Sequence, residues 1–157
     1  RQMPPRKTLV DLNRVVEEGL FLFTPRCAKE GIRLKRSLAS DLPKVYADSA
    51  QLNQVLVNLV VNALQAMPRG GQLTISTSLR KEGVSLIVED TGIGMEEEVR
   101  KKIFTPFFTT KGVGQGTGLG LPVVHGIVTS HGGSIHVESH PGQGTKFEIV
   151  LPLGEHG

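Results

Sequence analysis

Apolar residues recur along this chain with two periods, and the changes of period mark out its elements. Between 11 and 23 the apolar positions Leu12, Val15, Val16, Leu20 and Phe23 fall three or four residues apart, which lines one face of a helix, with Asp11 placed to cap its start. Ile32, Leu34 and Leu38 predict a strand, and 45–47 a short one. Asp48 and Gln51 stand in capping-box spacing before a second helix, which ends at Pro68 and the Arg69-Gly70-Gly71 turn. Leu73, Ile75 and Thr77 then alternate with Thr74, Ser76 and Ser78, and beyond the Lys81-Glu82-Gly83 turn the run 84–90 completes a hairpin. Residues 96–104 predict a short helix, and 105–116 show neither period. A third helix starts near Gly118, with Pro122 in its first turn, where a missing N–H costs little, and Gly132-Gly133 ends it. The runs 135–138 and 146–151 make a last hairpin around Pro-Gly-Gln-Gly. Hairpins need antiparallel pairing, so the expected fold is α+β: a two-layer α/β sandwich with a mixed, mostly antiparallel sheet covered by about three helices.

At 157 residues and 38% hydrophobic, the chain has the size and apolar content of a single domain, 1–157. One cysteine, Cys27, excludes an internal disulfide, which fits a reducing compartment, and the cytoplasm is the expected location; Cys27 itself reads as a small core residue. No apolar run approaches the length of a membrane span, and the opening RQMPPRK leads into no signal-peptide core. The abrupt start at Arg1 and the ragged GEHG end suggest a segment of a longer protein, whose membrane attachment these residues leave open. A net charge of +3 spread in small groups, with one tyrosine, no tryptophan and six phenylalanines, gives little footing for nucleic acid. The 19 glycines, by contrast, concentrate between 112 and 144 and ask for a chemical reason.

Three constellations carry chemistry. The second helix holds no charged residue between 49 and 68, and Gln51, Gln54, Asn58, Asn62 and Gln65 form one polar stripe along it. An uncharged solvent face would account for the stripe taken alone, although such faces usually include Lys or Glu. Turned to a ligand, the stripe offers neutral oxygens for Mg²⁺ and N–H donors for phosphate. The second constellation, VEDTGIGM, sets Asp90 at a strand end with Gly92 and Gly94 behind it. An ordinary Asp turn looks the same. A partly buried carboxylate there also accepts from the exocyclic amine of adenine, where guanine presents an oxygen, and the glycines let backbone approach a flat base. The third, GQGTGLGL, has glycine at four alternate positions running into a helix, and the free N–H groups of such a start bind phosphates. Counting excludes two familiar loops: Leu119 and Glu97 stand where G-x-G-x-x-G needs glycine, and no glycine is followed by Lys and then Ser or Thr.

QVLVNLVVNALQAM, EDTGIGM, IFTPFFTTK, GQGTGLGL and HGGSIHVESHPGQGTKFEIVLP, in this order and spacing, closely resemble the catalytic domain of bacterial sensor histidine kinases, in the branch similar to nitrogen-regulatory and PAS-containing kinases. The resemblance covers residues 10–153. It implies the Bergerat-type ATP fold shared with gyrase, heat-shock chaperones and mismatch-repair ATPases, with ATP and Mg²⁺ as ligands. By motif, Asn58 and Asn62 would hold Mg²⁺ and phosphate, Asn62 being the stronger candidate for the metal. Asp90, followed by Gly92, would read adenine, with Thr145 close to it through water, and Gly94 and Ile103 would line the base pocket. Lys111 would reach the terminal phosphates, making it with Asn58 the catalytic pair. Gly116, Thr117, Gly118, Leu119, Gly120 and Leu121 would border the phosphates, with backbone N–H groups from Gly118, Leu119 and Gly120. Gln65 stands where many relatives carry Lys or Arg, so one positive charge is absent there.

The resemblance also implies an ATP-dependent protein-histidine kinase. His125, His131, His136, His140 and His156 match no phosphoacceptor pattern and read as surface or cap residues. The acceptor is therefore expected on a separate dimerisation domain, with a response regulator taking the phosphoryl group afterwards, a monomeric isolated domain and a homodimeric parent. The segment 105–116 is expected to be a lid that nucleotide orders. Two rivals stand beside this reading. An ATP hydrolase of the same fold would need a glutamate where Asn58 stands, and a degenerate nucleotide module would not need so complete a set of ATP groups.

Overall fold

The computed structural model describes residues 3–106 and 120–153. In chain order the elements are β1 (Thr8–Val10), α1 (Leu12–Phe21), α2 (Thr24–Lys29), β2 (Ile32–Ser37), β3 (Val45–Ala47), α3 (Ser49–Gln65), β4 (Gly71–Arg80), β5 (Gly83–Asp90), α4 (Glu97–Arg100), α5 (Gly120–Ser130), β6 (Ser134–Ser139) and β7 (Thr145–Leu151). Five strands form the main sheet in the order β2-β4-β5-β7-β6. Only β2 and β4 run parallel, and parallel neighbours need a crossover, which α3 supplies. The expected α+β sandwich is present, with α1, α3 and α5 as its longer helices and α2 and α4 as short ones.

Alternation decides which face of the sheet is buried. Leu73 and Ile75 of β4, Val84, Leu86 and Val88 of β5, and Phe147, Ile149 and Leu151 of β7 all point to the helical layer and are buried. The helices answer with Leu12, Val16 and Leu20 of α1, Leu52, Val55, Leu56, Leu59, Val60, Ala63 and Leu64 of α3, and Val124, Ile127 and Val128 of α5. Burying each of these larger side chains is worth roughly 1.5–3 kcal/mol. With α1 on one flank, α5 on another and the sheet beneath, α3 is covered over most of its surface, which accounts for its apolar positions, while Gln54 and Gln65 are exposed and uncharged. At Gly19 the α1 backbone comes so close that an added Cβ would collide with the Leu56 side chain.

Local chemistry altered three expectations. The first helix stops at Phe21 rather than 23, because Pro25 in the first turn of α2 cannot donate into a continuing helix; a new one starts from Phe23. Cys27 is indeed buried, in α2, and burial pushes its thiol pKa up. The short strand β3 lies outside the main sheet and pairs with β1, a three-residue strand that the alternation did not announce. The predicted helix 96–104 is helical only over Glu97–Arg100, followed by turns.

The capping box before α3 is half made. The Asp48 carboxylate accepts from the Gln51 N–H at 3.1 Å and from the Arg6 N–H at 2.9 Å, and the latter bond is the main reason its pKa lies below the ordinary range. The Asp48 N–H does not return to Gln51. It donates to Nε2 of His131 at 3.0 Å, while Nδ1 of the same ring, 2.8 Å away, donates to the Ile127 carbonyl. That pair of bonds requires the neutral Nδ1–H tautomer. His131 thus does cap α5, as expected of a cap residue, yet it is buried and joins two helices. Gln51 instead donates to the Met3 carbonyl at 3.0 Å, and its Oε1 is buried with no partner among the described residues.

Replacing His131 with leucine should leave the half-buried Asp48 N–H without its acceptor. Urea unfolding should then show a loss of about 1–3 kcal/mol at pH 7. A loss below about 0.5 kcal/mol would mean that the tie contributes nothing.

Candidate nucleotide site

The site grows from the end of β5. The alternation that buries Val84, Leu86 and Val88 carries Asp90 to the same face, where it is 4% exposed. Across the sheet Asp90 pairs with Thr145 of β7, and Thr145 with Ser139 of β6, so three polar side chains lie in one row at one end of an apolar face. Burial pushes the Asp90 carboxyl pKa up, with Glu89 adding a smaller push. Backbone N–H groups of Gly92 and Thr145 pull it back without cancelling the rise. The Gly92 bond is 2.8 Å to Oδ1. The main partners of this carboxylate are thus backbone N–H groups.

The loop after Asp90 is clamped from both sides. The Ile93 N–H donates to the Ala66 carbonyl at the C-terminus of α3 at 2.9 Å, and the Gly142 N–H donates to the Ile93 carbonyl at 2.7 Å. An added Cβ at Gly92 would strike the Ala66 carbonyl, and one at Gly94 would strike the His140 carbonyl; Gly94 also has φ of +70°. Both glycines therefore serve first to let the protein pack against itself, a need that their expected role beside a base did not anticipate.

The amide stripe divides along α3. At the N-terminal end Gln51 holds the Met3 carbonyl and Gln54 is exposed. At the C-terminal end Asn58 and Asn62 are half-buried, Gln65 is exposed, and the helix runs on to the Ala66 carbonyl that holds the Asp90 loop. Nδ2 of Asn58 donates to the Gly120 carbonyl, the first residue of α5, at 3.1 Å. The amide nitrogen is thereby engaged and Oδ1 remains as its acceptor. Asn58 to Gly120 and Asp48 to His131 fasten α5 antiparallel along α3, one tie at each end. This brings the start of α5, with Gly120 and half-buried Leu121, beside the amides.

Ile103 is buried in the core cluster, and half-buried Phe104 packs on the exposed ring of His125, their centroids 5.3 Å apart. Asn58, Asn62, Asp90, Gly92, Gly94, Gly120 and Thr145 are thus linked through α3, the Asp90 loop, the head of α5 and β7. Lys111, Gly116, Thr117, Gly118 and Leu119, and all of the expected lid except Thr105 and Pro106, lie outside the described residues. Sequence reasoning missed Ser139 and the true place of His131. A serine on the apolar-facing side of β6 was the one available signal for the former. Among the described residues no cluster of three or more His, Cys, Asp or Glu could hold a metal, and no helix is long and apolar enough to cross a membrane.

The five-stranded mixed sheet under a helical layer is the fold of histidine kinase catalytic domains. The family described as histidine kinase-, DNA gyrase B-, and HSP90-like ATPase matches residues 47–155, and the chain belongs to it, as the catalytic ATPase domain of a bacterial sensor histidine kinase of two-component signalling. Among curated relatives, sensor histidine kinase ZraS of Escherichia coli (strain K12) is 42% identical over 92% of the chain, and sensor kinase CckA of Brucella abortus (strain 2308) 42% identical over 97%. The chain spans 30% of ZraS and 18% of CckA. The solved catalytic domain of histidine kinase ThkA is similar with a TM-score of 0.85 at 35% identity, covering 95% of this chain and 97% of that one. Full-length ShkA, solved with AMPPNP, gives 0.87 at 29% identity, covering 100% of this chain and 33% of that one. ThkA solved with the response regulator TrrA gives 0.78 at 30% identity, covering 94% and 42%.

The raised Asp90 pKa has a measurable consequence. A folded-state pKa above the unfolded one means that the native state holds the proton more tightly. The resulting stability is fully present below the unfolded pKa, about 3.9, and is lost as pH rises through the higher folded value. Asp90→Asn, neutral throughout, escapes that loss. Without nucleotide, its Tm relative to the parent should climb as pH rises above about 4 and level off once Asp90 is ionised. A difference constant with pH would contradict the buried carboxylate.

Proposed function

We propose that this domain binds Mg-ATP between the C-terminal half of α3, the Asp90 loop and the head of α5, and hands the γ-phosphoryl group to a histidine on a separate dimerisation domain. The observation that carries this reading is Asp90, a buried carboxylate held by backbone N–H groups. Such an acceptor is satisfied by a neutral donor such as the exocyclic amine of adenine, and it repels the oxygen of guanine. Thr145 stands beside it in the sheet. That ShkA holds AMPPNP supports the same choice of nucleotide here.

Asn58 and Asn62 are assigned to the phosphate and metal side, with Gln65 beyond them and Lys111 as the cation for the terminal phosphates. Neutral amide oxygens fit Mg²⁺, which keeps much of its shell as water and phosphate oxygen. Asn58 and Asn62 would hold it, and it would supply positive charge beside the phosphates. Asn58 gives one amide N–H to the Gly120 carbonyl and keeps its amide oxygen and a second N–H. An amide takes no proton at neutral pH, so this position cannot activate water, and transfer to an incoming imidazole is favoured over hydrolysis. Gly94 and Ile103 are assigned to the base, and the run from Gly116 to Leu121 to the phosphates. The partner after transfer is the aspartate of a response regulator, of the kind that ThkA is solved with. A cytoplasmic location and a homodimeric parent complete the proposal.

Calorimetry should show this chain binding Mg-ATP in preference to GTP, up to on the order of 10⁴-fold for a fully built base site. Equal affinities would remove Asp90 from the base. Asn62→Ala should still unfold cooperatively without ligand, which shows the variant to be folded. Each tenfold of lost affinity should cut the stabilisation by saturating Mg-ATP by about 1.4 kcal/mol. Undiminished protection would return the stripe to solvent.

With γ-labelled ATP, the chain alone should neither label itself nor release phosphate appreciably, and adding the parent's dimerisation domain should yield acid-labile, base-stable label on that domain. Rapid phosphate release by the chain alone would instead establish an ATP hydrolase.

A further inference from the structure

The row Asp90, Thr145, Ser139 continues one residue further than base reading requires. Ser139 is 6% exposed, opposite Thr145 in the β6–β7 register. Its Oγ lies 2.8 Å from Oγ1 of Thr145 and 3.1 Å from the Gly144 carbonyl, to which it donates. A serine hydroxyl has one proton. If that proton were turned to Thr145, the Gly144 carbonyl would lose this partner in a buried place, which is costly. Given to Gly144, it leaves the Ser139 oxygen as an acceptor, and at 2.8 Å the proton in that bond comes from Thr145. The Gly144 carbonyl is itself fixed, since this residue has φ of +83° and packs so tightly on the Asp90 carbonyl that an added Cβ would collide with it.

From this arrangement we infer that Ser139 is a positioning residue for base selection: by taking the Thr145 proton it leaves the Thr145 hydroxyl able only to accept. The inference rests on the assignment of Asp90 to the purine base. Asp90 and Thr145 then present two acceptors side by side. A 6-amino purine matches them directly or through a water, whereas the oxo group of a 6-oxo purine faces acceptors, and its N1–H can meet only one of the two. Without Ser139 the Thr145 proton is released and can turn toward an oxo group. Ser139 therefore acts through Thr145 and excludes the wrong base more than it holds the right one.

The test compares Mg-ATP with Mg-ITP, whose base carries a 6-oxo group, on the 157-residue chain by calorimetry. In Ser139→Ala, ITP should tighten about threefold to tenfold while ATP changes by less than about twofold. A merely structural serine would weaken both nucleotides together and lower Tm, and that result overturns the inference. Ser139→Cys keeps the shape with a weaker acceptor and should shift the ratio in the same direction, so a failure of the alanine variant to fold leaves the question decidable. In a Thr145→Val background, Ser139→Ala should leave the ratio of affinities unchanged, and a further shift there would overturn the relay. If the unaltered chain binds ATP and ITP equally, the assignment of Asp90 fails and takes the relay with it. A preference for ATP that Ser139→Ala leaves untouched overturns the relay alone.

Discussion

Keeping a carboxylate where water barely reaches is expensive, and the backbone around Asp90 is organised by that requirement. Its oxygens are held by N–H groups of Gly92, two residues along the same segment, and of Thr145, which only the sheet brings there. Gly92 is set by the clamp between the Ala66 carbonyl and the turn at 140–144, and Thr145 by the β5–β7 register. The same turn meets Gly94 and passes Gly144 against Asp90. The acidic residue, two strands, one helix end and one turn thus form a single unit, and shifting any of them uncovers the charge or strips it of donors.

The helical layer repeats the logic with fewer groups. α5 is fastened to α3 by one polar tie near each end, Asn58 to Gly120 and His131 to Asp48, with apolar packing between them. Each tie joins a side chain to a backbone group at a helix terminus, and the Asp48 N–H at the start of α3 would otherwise lack a partner within its helix. The position of the head of α5 relative to the amides therefore depends on the same helix that closes the Asp90 loop.

Much of this was legible in the chain. The two hairpins, the amphipathic first helix, the charge-free second helix and the acidic residue at a strand end all follow from period and composition, because those are local properties of consecutive residues. Where local signals compete, the structure departs from the periodic pattern. Pro25 divided one expected helix into two, and β1 was too short for alternation to reveal. The capping box at Asp48 was spelled correctly, yet its second bond went to a histidine 83 residues away.

What the sequence determined by itself was the identity of the elements and the kinds of group available: a stripe of amides, an acidic strand end, glycines in loops. What only the tertiary structure decided was how those groups are spent. Gly92 and Gly94 are consumed by carbonyls of Ala66 and His140, the amide stripe holds the Met3 carbonyl at one end and the head of α5 further along, and Ser139 meets the Thr145 hydroxyl only through sheet register. Such bonds join residues tens of positions apart through sheet register and helix packing. A hydrogen bond depends on distance and direction in space, and neither is written in the order of the residues.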